Sequence, residues 1–380
     1  MKFDESLLYN IKSDYQGIRY SLFDLATWKN GLAFKKIDFS DKGLPVIKIA
    51  ELNNGISSNT SFTQGDYGEE VFVQWDDLLF SWSGNPQTSI DVFRYRLPDG
   101  WLNQHIFKVT ANIELVTKDF LYYTLKYLKP YFTQIATNKQ TTGLGHVTIA
   151  DLKRMSVVIP QKGIQEQITS ILKAIDDKIE VNSNINENLQ QQAQAIYASL
   201  FIDNADPAWI QGHLSDLITV KYGKDHKKLG DGSYPVYGSG GIMRYVERPL
   251  YDKESVLIPR KGTLNNVMYV NQPFWSVDTM FYTEMKLPNV AKFVYHFVKA
   301  KDLASMNAGS AVPSMTTDIL NAMEVTIPSA SALEEFESLV APMYRAMQEN
   351  DIQSSKLSEL RDALLPKLMS GEIDVANIQL

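Results

Sequence analysis

The sequence predicts a mixed α/β (α+β) chain with pseudo-twofold internal duplication: two similar bodies separated by two long antiparallel coiled-coil helices. Three observations predict it. Two segments recur along the chain in the same order, each copy divides into a body rich in Gly, Pro, Tyr and Trp and a Gly-poor tail, and both tails carry apolar residues at heptad spacing.

Leu22-Phe23-Asp24-Leu25-Ala26-Thr27-Trp28-Lys29-Asn30-Gly31 aligns with Leu214-Ser215-Asp216-Leu217-Ile218-Thr219-Val220-Lys221-Tyr222-Gly223 at an offset of 192. A second match at an offset of 168 pairs Thr148, Leu152, Met155, Val157, Ile159 and Pro160 with Thr316, Leu320, Met323, Val325, Ile327 and Pro328. Between them Pro45-Val46, Gly84, Trp101 and Phe107 echo Pro235-Val236, Gly262, Trp275 and Phe281. The falling offset gives the first body about 24 extra residues.

Within the bodies, Val46-Ile47-Lys48-Ile49, Asp77-Leu78-Leu79-Phe80-Ser81, Val157-Val158-Ile159 and Ser255-Val256-Leu257-Ile258 read as strands bounded by turn residues. Residues 120–128 and 290–299 read as short helices.

The tails read as long helices. With Ile168 at position a, the first seam places Ile168, Ile175, Asn182, Leu189 and Ile196 at a, and Ile171 and Ile185 at d. The second has Phe336, Met343, Asn350, Leu357 and Leu364 at a, and Leu339 and Leu360 at d. A helix of about 38 residues would span roughly 57 Å. Pro342 and Pro366 are defects in the second helix. Asn182 and Asn350 share the a position, and a buried polar residue there specifies register. Antiparallel packing predicts that their side chains meet. The expected organisation is an N-terminal segment 1–19, body 20–160, helix 161–203, body 204–328, and helix with C-terminal tail 329–380.

Composition excludes several classes. The 380 residues include no Cys, which removes disulfides, thiolate metal sites and cysteine nucleophiles. No run approaches the ~18 apolar residues of a membrane span. The N-terminus lacks a basic region followed by an apolar core, so no signal peptide is expected and a cytoplasmic location is. The net charge of −7 argues against nucleic acid as a whole-chain number, but not by segment. Residues 20–160 carry 14 basic and 14 acidic groups, and residues 213–328 carry 13 and 11. Residues 161–205 carry 3 and 6, and residues 329–380 carry 4 and 9, so the acid lies on the helices.

Several stretches resemble the specificity (S) subunits of type I restriction–modification enzymes. Leu44-Pro45-Val46-Ile47-Lys48-Ile49-Ala50-Glu51-Leu52-Asn53-Asn54-Gly55 looks like the opening of a target recognition domain, as do Trp101-Leu102-Asn103-Gln104-His105-Ile106-Phe107 and Arg260-Lys261-Gly262-Thr263. Thr142-Gly143-Leu144-Gly145-His146-Val147-Thr148 is similar to the approach to the family's spacer helix, and Gln165-Glu166-Gln167-Ile168 to its start. The second copy departs at Ser310-Ala311-Val312-Pro313 and Ala330-Ser331-Ala332-Leu333-Glu334. The resemblance implies two target recognition domains that read a bipartite asymmetric double-stranded DNA target. It implies a non-catalytic subunit with no cofactor of its own, docked to two methyltransferase (M) subunits and joined by restriction (R) motor-nuclease subunits. S-adenosylmethionine, ATP and magnesium would then belong to those partners. A non-enzymatic scaffold with two ligand-binding modules on a coiled-coil spacer is the alternative.

Phosphate contacts would come from basic clusters: Lys224, His226, Lys227 and Lys228 between Gly223 and Gly230, Arg260 with Lys261, and in the first body Lys35, Lys36, Lys48, Arg94, Arg96 and Lys139. Base reading needs Arg for guanine, Asn or Gln for adenine, and Ser or Thr at either, on loops. The candidates are Ser81, Trp82, Ser83, Asn85, Gln87, Thr141 and Thr142 in the first body, and Ser239, Asn265 and Asn266 in the second. The same residue types also build ordinary turns. Catalytic patterns are weak. There is no Walker A or GxGxxG fingerprint, and the five His have no metal-ligand spacing, so no metal site is expected. Asp278 with Glu284-Met285-Lys286 matches a loose nuclease pattern without a counterpart in the first copy.

Overall fold

The computed structural model describes residues 9, 11–57, 59–140, 143–306 and 314–375. They form two compact units, Met1–Glu180 with Gln353–Leu380, and Val181–Ile352. Neither unit ends where a long helix ends: each takes part of both helices, Lys162–Ala198 and Ala330–Ser370.

The first unit contains an antiparallel four-stranded sheet in the order Ala26–Asn30, Ile106–Ala111, Leu78–Ser81, Asp91–Arg94. Leu78, Phe80, Val92 and Val109 turn to a core shared with helices Lys118–Tyr127 and Lys129–Asn138. Leu79 and Ile106, facing the other way, join Ile47, Val73, Tyr95 and Leu102 in a smaller core beneath a second, mixed sheet. This is the period-two alternation of a strand covered on both faces. The strand expected over 46–49 stops at Ile47, because Lys48 opens the helix Ile49–Asn54 and Glu51 Oε2 accepts its N–H at 3.0 Å.

The second unit repeats this plan. Its sheet order is Ile218–Tyr222, Met280–Met285, Ser255–Pro259, Met268–Val270. The duplication holds at single hydrogen bonds. Val46 pairs in parallel with Trp101, and Val236 with Trp275. Leu22 N–H donates to the Met155 carbonyl at 2.8 Å, and Leu214 N–H to the Met323 carbonyl at 2.8 Å. Ile18 pairs with Ile159, and Ile210 with Ile327. Thr148 and Thr316 each cap the short helix that follows. Gly31 and Gly223 are required by close approach: a Cβ there would run into the carbonyl oxygen of Asn103 or of Val277.

Within each unit the two long helices run antiparallel. Arg361 reaches Asp176 at 2.9 Å in the first, and in the second Asn186 reaches the Met347 carbonyl at 3.2 Å while Tyr197 packs against Phe336. The a positions lie on the seam: Ile168, Ile175, Asn182 and Phe336 are buried, and Leu189, Ile196, Met343, Asn350, Leu357 and Leu364 partly so. The expected d partners are corrected. Ile185, Leu339 and Leu360 are 41, 46 and 48% exposed, and the seam is completed four residues after a, by Leu172, Ala193, Val340 and Leu368. A seam residue pairs with a neighbour three or four positions on, and heptads with flanking Ile and Leu leave both choices open.

The two asparagines meet at the seam, through the side chain of Asn182 and the main chain of Asn350. Asn182 Nδ2 donates to the main-chain carbonyl of Asn350 at 3.4 Å, and Asn350 Nδ2 donates to Asn186 Oδ1 at 2.8 Å. The second helix runs unbroken through Pro342 and Pro366. Both prolines, and the residues Ser338 and Asp362 whose carbonyls lose a partner, lie on the exposed face.

Polar side chains tie each body's helix to the seam. In the first unit Tyr123 donates to Asp176 at 2.7 Å, which also holds Arg361. In the second, His296 lies between Gln194, 2.8 Å from Nδ1, and the Tyr344 hydroxyl, 2.9 Å from Nε2. Burial pushes the His296 pKa down to about 4. Lys118–Asp76 at 2.6 Å and Lys292–Glu254 at 3.0 Å fill the same place in the two copies.

Candidate nucleic-acid interface

Antiparallel pairing gathers three chain segments at one end of each four-stranded sheet. In the first body, the strand Ala26–Asn30 ends where Ile106–Ala111 begins and Leu78–Ser81 ends. Gly31 N–H donates to the Ile106 carbonyl at 3.0 Å, and Trp82 N–H to the His105 carbonyl at 3.2 Å. In the second body, Gly223 N–H donates to the Met280 carbonyl at 3.0 Å and Arg260 N–H to the Thr279 carbonyl at 2.9 Å. The loops after Gly31 and Gly223, and after Ser81 and Pro259, leave from this end.

These loops carry cations that have no carboxylate partner among the described residues. Lys35 and Lys36 stand four and five residues after Gly31, and Lys227 and Lys228 stand four and five after Gly223. All four are exposed. Lys224 and Lys261 are exposed too, and none of these six lysines forms an ion pair among the described residues. The equivalence of the two Lys-Lys pairs was missed in the sequence; running the offset of 192 five residues past Gly31 would have found it.

Other candidates are engaged inside the protein and are corrected. Arg94 is held by Asp119 at 2.6 Å and Asp76 at 3.4 Å, with its guanidinium 4.5 Å from the centre of the Tyr122 ring. Those carboxylates raise its pKa against the opposing effect of burial. Arg96 joins Asp76 at 2.9 Å. Lys139 donates to Asp151, a carboxylate only 1% exposed, whose pKa is lowered by hydrogen bonds from Lys139 and Thr148 that outweigh burial. Ser81 is fully buried, and its hydroxyl donates to the Ser89 carbonyl.

Several loop amides are spent on bonds within the protein, Asn85 in its own turn and Asn265 and Asn266 to distant segments. Asn85 Oδ1 accepts from the Gln87 and Thr88 N–H groups at 2.9 and 3.3 Å. Asn266 Nδ2 donates to the Ser239 carbonyl at 2.8 Å, and Asn265 Nδ2 to Asp302 at 3.0 Å. Lys48 Nζ sits 3.0 Å from Ser61 Oγ and 5.3 Å from the centre of the Phe39 ring. Gln87 stays exposed, Ser83 is half-buried, and His226 has a buried Nδ1 without a hydrogen-bond partner. Thr141 and Thr142 lie outside the described residues.

The nuclease-like pattern does not assemble. Glu284 pairs with Lys221 at 3.6 Å, and Lys286 donates to the Ser215 carbonyl at 2.6 Å. Asp278 lies in the turn before the strand Met280–Met285, and the four extended steps from Met280 to Glu284 alone span roughly 13 Å. Among the described residues no group of His, Cys, Asp and Glu could hold a metal ion, and no helix is long and apolar enough to cross a membrane.

The fold is a duplicated α/β module with matching basic loops in its two copies. Residues 18–191 and 208–336 match the type I restriction modification DNA specificity domain. The chain belongs to the family of type I restriction–modification specificity subunits, whose role is DNA sequence recognition. It is 23% identical to the specificity subunit of the type I restriction enzyme HindI from Haemophilus influenzae, over 74% of this chain and 84% of that one. It is 22% identical to the MjaIX specificity subunit from Methanocaldococcus jannaschii, over 69% and 71% of the two chains. The crystal structure of the S subunit from M. genitalium shares the fold, with a TM-score of 0.56 at 19% identity, covering 95% of this chain and 98% of that one.

Proposed function

We propose that this chain reads a bipartite, asymmetric DNA target, one half with each body, as the non-catalytic specificity subunit of a methylating and restricting complex. The observation that carries this reading is the duplicated pair of unpaired lysines, Lys35-Lys36 and Lys227-Lys228, on equivalent loops. A phosphate contact needs a cation that is not already neutralised, and phosphate contacts set register on the duplex. Two equivalent sites in one chain suit two stretches of one duplex.

In this reading two adenine methyltransferase subunits dock on the chain, and motor-nuclease subunits join them. S-adenosylmethionine, ATP and magnesium belong to those partners. The acidic long helices keep their charge away from the phosphates and offer it to a basic partner surface. The work is on DNA in the cytoplasm.

The test is enrichment from a randomised duplex library by the full chain, alone and with its methyltransferase partner. A two-part motif with a fixed gap is expected, strengthened by the partner. Absence of any enrichment with the partner present would overturn the reading in favour of a scaffold with other ligands.

A further inference from the structure

Residues that touch phosphate can be the same in both bodies, because both halves of the target have the same backbone. Residues that read bases must differ if the halves differ, and must stand on a common main chain. A slot at the end of each four-stranded sheet meets both conditions.

The slot is held by Trp82 in the first body and Arg260 in the second. Their N–H bonds to the His105 and Thr279 carbonyls are equivalent, and their own carbonyls accept from equivalent donors, Trp82 from Val147 N–H at 2.8 Å and Arg260 from Met315 N–H at 2.9 Å. The next residues pair alike, Ser83 with His146 and Lys261 with Ser314. Gly84 and Gly262 then turn the chain at φ +136° and +86°.

On this shared main chain the side chains have different chemistry. Trp82 stacks on Phe107, 5.6 Å between centroids, and spends its one donor on Asn30 Oδ1 at 2.9 Å. Arg260 lies over Tyr222, 5.4 Å from the ring centre, and gives one N–H to the Asp278 carbonyl at 3.2 Å. Tyr222 occupies the position of Asn30, packs on Phe281 as the counterpart of Phe107, and is 51% exposed. The slot and its partner have therefore changed together, from indole with carboxamide to guanidinium with phenol. Unpaired cations flank the second slot, Lys261 beside Arg260 and Lys224 two residues after Tyr222.

We propose that this slot is a base-reading position of each body: Arg260 reads a guanine in one half-target, and Trp82 contacts a thymine methyl in the other. This rests on the DNA-recognition reading above. Arg260 keeps the N–H groups that match guanine O6 and N7, whereas Trp82 has no donor left and offers apolar surface.

The test is the sequence profile recovered from randomised duplexes by the full chain with its methyltransferase partner. Arg260→Ala and Arg260→Lys should each relax one G·C position in one half about tenfold or more, with the other half unchanged. The double substitution Trp82→Arg with Asn30→Tyr should move one position of the first half toward guanine. If Arg260→Lys keeps the wild-type profile, or Arg260→Ala weakens every sequence equally, Arg260 is a phosphate contact and the inference fails. An unshifted first half in the double variant overturns it as well. If the wild-type chain enriches nothing, the DNA-recognition reading itself fails first.

Discussion

Whether a lysine is available to a ligand depends on the carboxylate beside it. Lys139 and Lys36 look alike in the sequence, but Lys139 neutralises the buried Asp151 and Lys36 meets water. Lys139→Met should therefore destabilise the first unit by about 1–3 kcal/mol in chemical denaturation, since it strands a buried carboxylate that a half-exposed cation had neutralised. Lys35→Gln with Lys36→Gln should leave stability unchanged and reduce the slope of log affinity against log salt by roughly one per lysine. A result the other way round, with Lys139 setting the salt slope, would contradict this assignment. His296 gives a pH prediction. Its folded pKa of about 4 lies below the ordinary 6.5, so the unfolded chain binds the extra proton between those values. The stability is fully present above about 6.5 and is lost as pH falls toward 4, on the order of 3 kcal/mol. Thermal unfolding should show this slope in the wild type and a flatter one in His296→Gln.

The long helices were legible as helices because an apolar repeat sustained over 37 and 41 residues, interrupted at a only by Asn182 and Asn350, is hard to satisfy otherwise. Their buried face was only half legible. Ile171 and Ile185 both follow an a position by three residues, yet the first is partly buried and the second exposed, and hydropathy does not distinguish them. The packed neighbours do, since Leu172 and Val340 face the bodies' cores. Leu172→Ala should cost about 2–5 kcal/mol and Phe336→Ala about 3–5 kcal/mol, by cavity formation. Ile185→Ser and Leu339→Ser should each stay within about 0.5–1 kcal/mol. Urea midpoints of the four variants check the ranking, and a large loss at Ile185 would restore the expected a/d seam. The asparagines were found at the seam because both copies keep them there. Their partners, a main-chain carbonyl and Asn186, depend on the rotation of the helices about their axes.

At the scale of the whole molecule, the C-terminal segment belongs to the unit at the other end of the sequence. Leu368 and Met369 are buried with Leu25, Val157 and Ile168, and Arg361 neutralises Asp176. A chain ending at Ile352 should lose amide-exchange protection in residues 20–180 while residues 210–340 keep theirs; uniform loss in both would refute the division into two units. The sequence by itself determined the duplication, the two long helices, the placement of acid on those helices and the family. These are properties of order and spacing along one chain, and order and spacing are what a sequence records. Only the tertiary structure decided which cations remain free, which face of each helix is covered, and that Trp82 and Arg260 stand on one main-chain frame. Each of those depends on a partner brought from far along the chain, as Asp119 is brought to Arg94 and Thr279 to Arg260. A long-range partner leaves no local pattern, because a side chain's hydrogen-bonding capacity is the same whether water or a distant residue fulfils it.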